Sequence, residues 1–345
     1  MTFQEVGADR LRVGISGYGL AGRVFHAPFL KGAGFDVAAV VTRNPERMAQ
    51  VAQDFPEAQI CSSIEQMVQM ELDLVVVASA NLAHVSDALS AIAAGIPVVI
   101  DKPLGITEAE VQRIIDASDT NDVGVIPYFN RRWDSDALTI KKVIAEGVIG
   151  EVFRLDSRFE RYRPGTTPRN WRESKGADQG GGLLLDLHPH LISTALDWFG
   201  DAELKYSSVR NIRGMSDDDI VLVLSHSRGV DSYLSASAII GAPGPRIRLS
   251  GTQGTLIIDE LDGQEELLRS GRYPNNGIWS EPVRSKAFIH RGDEIVELQG
   301  EPGNYGSFYL QVADGIRCGA PWPVQLSDAL SVARILDQAR ASSVR

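Results

Sequence analysis

Only two cysteines occur in 345 residues. Cys61 and Cys318 cannot build a disulfide framework, and neither stands at a metal-ligand spacing. The six histidines form no HExxH-type pattern, so no metal centre is expected. Long apolar runs are also missing. The longest, such as residues 74–78, have the length of a strand and fall far short of a membrane span. No repeat or low-complexity tract is present. Positive charge is in deficit, with 34 Lys and Arg against 45 Asp and Glu, a formal net charge of −11. That balance argues against nucleic acid or an anionic membrane as partner. It does not bar an anionic cofactor, which a few local dipoles and Arg side chains can hold. The N-terminal MTFQEVGADR lacks the basic and apolar regions of a signal peptide. A soluble, cytoplasmic, metal-free protein is the expectation.

What the chain does have is an ordinary globular composition, 43% apolar and 23% charged, and length enough for two cores. Leu11, Val13 and Ile15 alternate as a short strand, and residues 20–29 read as a helix. Between them lies Gly17-Tyr18-Gly19-Leu20-Ala21-Gly22, a dinucleotide fingerprint in the context it requires. Gly17 permits the tight turn, Gly19 lets backbone approach a pyrophosphate, and Gly22 lets helix pack on strand. The helix start then offers free N–H groups and a positive dipole end. After the next strand, Phe35–Val41, an NAD site usually carries Asp or Glu for the ribose 2′-OH. Here the slot holds Thr42 and Arg43. A hydroxyl and a guanidinium suit a 2′-phosphate, so NADP is favoured over NAD, although an ordinary loop arginine is the plainer alternative.

The first third alternates strand and helix. Helices are expected at Pro45–Asp54, 64–70, 81–94 and 107–120, the last opened by a Thr107/Glu110 capping box. Strands are expected at 59–61, 74–78, 97–100 and 123–128. This is a doubly wound, mostly parallel α/β sheet. Beyond Ile149 the pattern changes. Strands at 151–160, 220–227, 230–238, 246–250 and 255–259 imply an antiparallel sheet, with a helix at 184–199 and two more at 305–318 and 327–341. The domains are accordingly a Rossmann unit at 1–128 and an α+β unit at 129–345, with the helices in 305–341 placed to pack back on the first.

Ligands of such sheets bind outside the carboxyl ends of the strands. Ser79 and Asn81 stand at one such end, with His84 a turn later; Asn81 can equally be a helix cap, and His84 a surface residue. Asp101-Lys102-Pro103 ends another strand. There Lys102 can orient a hydroxyl and join a proton relay, with Asp101 to hold its ammonium, unless it is only a solvated loop lysine. Gly180-Gly181-Gly182 leads into Asp186-Leu187-His188-Pro189-His190, where a carboxylate and an imidazole four apart share a helix face and suit a general base. The plain alternative is a capping Asp with two surface histidines. Asn130, Tyr162, Trp171 and Arg172 could wall a polyol site, although most loop arginines are merely solvated.

Together these residues resemble the glucose-fructose oxidoreductase/inositol dehydrogenase/rhizopine catabolism (Gfo/Idh/MocA) family. The resemblance spans nearly the whole chain and rests on four motifs in order. They are GxGxxG with a following His26-Ala27-Pro28, Ser79-Ala80-Asn81 with His84, Asp101-Lys102-Pro103, and Gly180 through His190. GLAGRVFHAP, YFNRRWD and RYRP…WRE look most like the family's NADP-dependent scyllo-inositol dehydrogenases. The resemblance implies Lys102, Asp186 and His190 as the catalytic set. It also implies an open second sheet that builds dimers or tetramers. Asp101 replaces the usual Glu, and His188 stands where a small residue is frequent and is expected to narrow the pocket or add a donor. The expected activity is reversible oxidation of a secondary hydroxyl on a cyclic polyol or sugar, with His190 and Lys102 handling the proton and Asp186 bonding a neighbouring hydroxyl. A related carbonyl reductase or a non-catalytic NADP-binding regulator is the alternative.

Overall fold

A computed structural model of the protein describes residues 10–166, 171–214, 216–274 and 279–342, with backbone alone at 171 and 172. It begins with β1 (Leu11–Ser16), whose inward residues Val13 and Ile15 are fully buried. The helix read at 20–29 is two pieces. A π-helical turn, Ala21–His26, runs into α1 (Ala27–Gly32). Ala27 N–H donates to the Gly22 carbonyl five residues back, and Pro28 has no N–H to restore the α-helical ladder at once.

The chain then passes through β2 (Phe35–Val41), α2 (Pro45–Asp54), β3 (Gln59–Cys61) and α3 (Ile64–Met67). It continues through β4 (Leu74–Val77), α4 (His84–Ala93), β5 (Val98–Asp101), α5 (Glu108–Asn121) and β6 (Val125–Tyr128). The six strands form one parallel sheet in the order β3-β2-β1-β4-β5-β6. Leu74, Val75, Val76 and Val77 are all fully buried, because helices cover both faces of such a sheet. Capping follows the side chains available. The Asn44 side chain accepts the Arg47 N–H, and Thr107 accepts the Glu110 N–H at 3.2 Å. Glu110 reaches back to the Ile106 N–H at 2.6 Å, which completes the box one residue earlier than its usual form. The order reverses between β1 and β4, and that reversal opens a crevice at the carboxyl ends of the strands.

After a short turn, Asn130–Trp133, comes α6 (Ser135–Ala145), unread in the sequence, and then β7 (Val152–Glu160). Three short helices follow, α7 (Trp171–Ser174), α8 (Leu183–Asp186) and the longer α9 (His188–Phe199). Next are β8 (Ala202–Arg210), β9 (Asp219–His226), β10 (Asp231–Ser237), β11 (Ile247–Gly251) and β12 (Gly254–Ile258). The chain closes with α10 (Gln264–Arg269), β13 (Arg284–Arg291), β14 (Glu294–Pro302), α11 (Gly306–Cys318) and α12 (Leu326–Ala341). The second sheet has eight strands, ordered β14-β13-β12-β11-β7-β10-β9-β8. Among the described residues of this sheet, β7 and β10 alone pair in parallel and the other pairings are antiparallel. Helix α6 packs on β13 and β14, α9 on β10, and α12 on β8.

One aromatic cluster seats α11, which follows the last strand of the second sheet, against the first sheet. Phe308 of α11 is fully buried, its ring 4.9 Å from Tyr128, 5.5 Å from Trp133 and 5.1 Å from Tyr309. Tyr305 meets Phe29 of α1 at 6.0 Å in the same edge-to-face manner. Arg132 adds a polar tie, bonding Asp328 of α12 at 2.8 Å and the Ser193 hydroxyl of α9 at 2.9 Å. Phe308→Ala leaves a cavity at the meeting point of these elements, and urea denaturation is expected to show a loss of about 3–5 kcal/mol.

Candidate active site

The crevice at the switch point is lined by Ala21, Ser79, Asn81, Asp101, Lys102, Gly180 and Asp186. Its glycine turn is shaped by contact. Gly17 sits at φ +95°, and a Cβ there would meet the Ala78 carbonyl at 2.6 Å. A Cβ on Gly22 would lie 2.0 Å from the Gly17 carbonyl, so the helical segment can approach the turn only without a side chain. These are the close approaches that a dinucleotide loop requires, and the chain fits that group. Tyr18 contributes backbone only. Its ring is buried against Phe55, and its hydroxyl donates to Asp54, which also takes Arg23. Leu20 is exposed at the rim.

At the end of β2, Thr42 is buried and its hydroxyl accepts the Asn44 N–H at 3.4 Å, so it shapes the loop. Arg43 is exposed. A second cation that sequence reading missed stands nearby, the Arg47 guanidinium 3.5 Å from where a Cβ on Gly19 would lie. Its position on the first turn of α2 above a glycine motif is the signal that could have found it.

Ser79 and Ser16 both donate to Asp87, at 2.8 and 2.7 Å, and so tie β1 to the loop after β4. Asn81 donates to the Gly180 carbonyl at 3.0 Å and links that loop to the glycine run. His84, by contrast, is not open to a cofactor. It is buried with Nδ1 at 2.8 Å from the Pro103 carbonyl and Nε2 at 3.1 Å from that of Ser79. It is a strut between two strand ends.

The Lys102–Pro103 peptide is cis. Asp101 does not hold the Lys102 ammonium as expected. Its Oδ1 accepts the Lys102 backbone N–H at 2.8 Å, and its Oδ2 faces His26 Nε2 at 3.8 Å. Burial opposes the charge on Asp101, but His26 and Lys102 outweigh it and hold the carboxyl below its usual range. His26 is fully buried, with Nδ1 2.5 Å from the Tyr309 hydroxyl of α11 and its ring 4.1 Å from Tyr128. The motif contained His26, but a role for it depends on a partner 283 residues away.

The ammonium goes to Asp186 instead, donating to Oδ1 at 2.9 Å and to the backbone carbonyl at 2.6 Å. Asp186 and His190 do not share one helix, because α8 ends at Asp186 and α9 begins at His188, with Leu187 between them at φ −111°. His190 nevertheless comes within the influence of the Lys102 charge. Its Nδ1 is sealed without a hydrogen-bond partner, and burial, then the charges of Lys102, Arg131 and Arg246, hold its pKa well below the usual value. The imidazole is therefore neutral.

The glycine run accommodates protein rather than a flat ligand. A Cβ on Gly181 would reach the Lys175 carbonyl at 2.0 Å, and one on Gly182 the Asp217 carboxylate at 1.9 Å. Asp217 accepts the Leu184 N–H at 2.6 Å and caps α8. His188 does not narrow the pocket. It is fully buried under the second sheet, and neither ring nitrogen makes a well-formed hydrogen bond. Burial pushes its pKa down to about 4, partly offset by the backbone of Leu234 and Leu183. Tyr162 is 63% exposed and pairs by backbone with Ile239, so it too is not in the crevice. Asn130 is half-buried at the start of its turn and does not line the cavity. The side chains of Trp171 and Arg172 lie outside the described residues. No group of three or more potential metal ligands occurs among the described residues.

Residues 11–129 match a family model described as an oxidoreductase family with an NAD-binding Rossmann fold, and residues 137–257 match the Gfo/Idh/MocA C-terminal domain. A scyllo-inositol 2-dehydrogenase (NADP(+)) from Bacillus subtilis is 34% identical over 97% of this chain and 94% of its own length. An uncharacterized oxidoreductase from Escherichia coli is 34% identical over 96% and 95%. Among solved structures, a putative oxidoreductase from Bacillus subtilis matches with a TM-score of 0.88 at 33% identity, covering 99% of this chain and 97% of that one. A second, from Yersinia pestis, gives 0.86 at 33% identity, covering 98% and 96%.

The buried His188 sets a pH dependence. Unfolded, it binds a proton below about 6.5, whereas the folded residue resists protonation down to about 4. Stability is therefore lost as pH falls through that window. Between pH 7 and 4.5, His188→Leu is expected to lose about 2 kcal/mol less stability than the parent in urea titrations.

Proposed function

The chain belongs to the Gfo/Idh/MocA oxidoreductase family, and on that premise we propose that it reversibly oxidises a secondary hydroxyl of a cyclic polyol or sugar, of the scyllo-inositol type, with NADP. The observation that carries the reading is the Lys102–Asp186 pair, which lines the crevice just after the end of β5 and whose lysine charge acts on the buried His190. In this reading residues 1–128 are the nucleotide unit and 129–345 the substrate unit. The backbone from Gly17 to Gly22 would hold the pyrophosphate, and Ser79, Asn81 and Asp101 would border the nicotinamide end. Arg43 and Arg47 would face the 2′-phosphate, with Thr42 shaping their loop. When bound, the nicotinamide supplies the hydride acceptor.

The rest falls to this chain's own groups. An ammonium has three donors, and Lys102 uses its N–H groups on the two Asp186 oxygens, which leaves one for the substrate oxygen. That fixed positive charge lowers the energy of a developing alkoxide. His190, neutral and with Nδ1 sealed, can take the hydroxyl proton only on Nε2. Asp186 keeps the ammonium in place, a duty different from the substrate contact expected from the sequence. A bound pair of this kind has no use in a mere NADP sensor, and this favours an enzyme. Among the described residues no helix is long and apolar enough to cross a membrane. The reading is of a cytoplasmic homodimer or homotetramer built through the second sheet, whose edge regions expose Tyr206 and Ile295.

Lys102→Ala and His190→Ala should each lower kcat by at least about 100-fold while NADP still binds. An absorbance screen at 340 nm over inositols and sugars provides the rate, and near-full activity in both variants would sink the assignment. With the best substrate, kcat/KM for NADP should exceed that for NAD by about tenfold or more, and Arg43→Ala should shrink the ratio. Equal values for the two cofactors in the parent enzyme would defeat the Arg43 reading.

A further inference from the structure

Strand β7 continues in backbone pairing beyond Glu160. The Arg161 N–H donates to the Ser237 carbonyl at 3.0 Å, and its own carbonyl accepts the Ile240 N–H at 3.1 Å. Strand alternation therefore puts Arg161 on the same face as Leu155, Ser157 and Phe159, the buried face on which α9 packs. The backbone partner of Arg161, Ser237, ends β10, on which α8, the helix that Asp186 ends, also packs, and Arg163, Asp186, Glu173 and Arg213 act on the charge of Arg161.

Each neighbouring carboxylate faces another cation. Asp186 holds Lys102 at 2.9 Å, while Arg213 takes Asp218 at 2.9 Å and approaches Glu173 at 4.0 Å. Arg161 makes no ion pair among the described residues, and its Nε is buried without a hydrogen-bond partner. Burial, followed by the charge of Arg163, depresses its pKa. A half-buried guanidinium with no counter-ion among the described residues is held at a cost. A neutral hydroxyl can accept one N–H from it but cannot balance its charge, whereas a carboxylate does both and matches the planar fork. One unpaired cation balances a single negative charge, which favours a carboxylate over a phosphate dianion. In a chain of net charge −11 this recognition has to be local.

We propose that Arg161 determines specificity by binding a carboxylate of the substrate, so that the polyol or sugar taken by this site is a sugar acid. This rests on the reading that the Lys102 site oxidises a secondary hydroxyl. Calorimetry on the enzyme saturated with NADP tests it with two matched pairs, D-glucuronate against D-glucose and D-gluconate against D-sorbitol. In at least one pair the acid should bind about tenfold or more tightly than its neutral partner. Arg161→Met should bring that ratio to within about threefold, and Arg161→Lys, which keeps the charge but not the fork, should retain part of it. Acid and neutral compounds bound within about threefold of each other in the parent, no binding of either acid, or an unchanged ratio in Arg161→Met would each overturn the proposal. Turnover of the same compounds at 340 nm judges the parent reading separately. An acid that binds through Arg161 without being oxidised removes the hydroxyl chemistry and leaves the carboxylate site standing.

Discussion

The ion pair between Lys102 and Asp186 is the contact on which the candidate site depends. Lys102 ends a strand of the six-stranded sheet, and Asp186 ends α8, which packs on the second sheet. A partly buried ammonium needs a carboxylate close by, or its desolvation is uncompensated. Here the partner comes from the other half of the chain, so charge satisfaction and site assembly are one event. The Asp217 cap on α8 and the glycine run before it fix where Asp186 can stand. On the opposite side, Asp101 fixes the Lys102 backbone, and His26 with Tyr309 backs Asp101.

The charges that act on His190 run against the sign of the whole molecule. Net charge governs long-range encounters, but a pocket responds to the few groups within a Debye length, which is about 8 Å at physiological salt. Burial, and after it the charges of Lys102, Arg131 and Arg246, keep His190 an uncharged acceptor. The ring of Phe159 carries Arg246 at 4.1 Å and Arg131 at 5.1 Å, so two guanidinium groups share one aromatic surface.

The glycine turn, the parallel sheet and the two short motifs at strand ends were legible because each is a local demand of backbone geometry or residue order. Gly17 and Gly22 are needed within six residues of each other, and the sequence displays both. The histidines were not legible to the same degree. His84 and His188 look like site residues in one dimension, yet burial sends one to two carbonyls and the other under a sheet. β8, β13 and β14 all went unread: β8 and β14 are edge strands, with mostly exposed residues that lack the apolar alternation of β9, whereas β13 is paired on both sides and its buried Ser285, Ala287 and Ile289 alternate with Arg284, Lys286 and Phe288 in a short, charge-rich run. Helix α6 went unread although Ala137, Ile140 and Val143 form a helical stripe. What separates Arg161 from Arg163, two residues on, is burial, since the first is half-buried and the second exposed, and one dimension does not display that difference.

The aromatic seam of α11 also bears on how the protein is made. β1 to β6 leave the ribosome first, and their helices can form as they emerge. The surface made by Phe29, Tyr128 and His26 nevertheless waits for Tyr305, Phe308 and Tyr309, which follow more than 170 residues after Tyr128. Until then the nascent nucleotide half shows water an apolar face that belongs to the end of the chain. Completion of the first-made part is therefore tied to synthesis of the last, and a ribosome that stops early leaves a fragment with that face uncovered, a surface for chaperones or for aggregation.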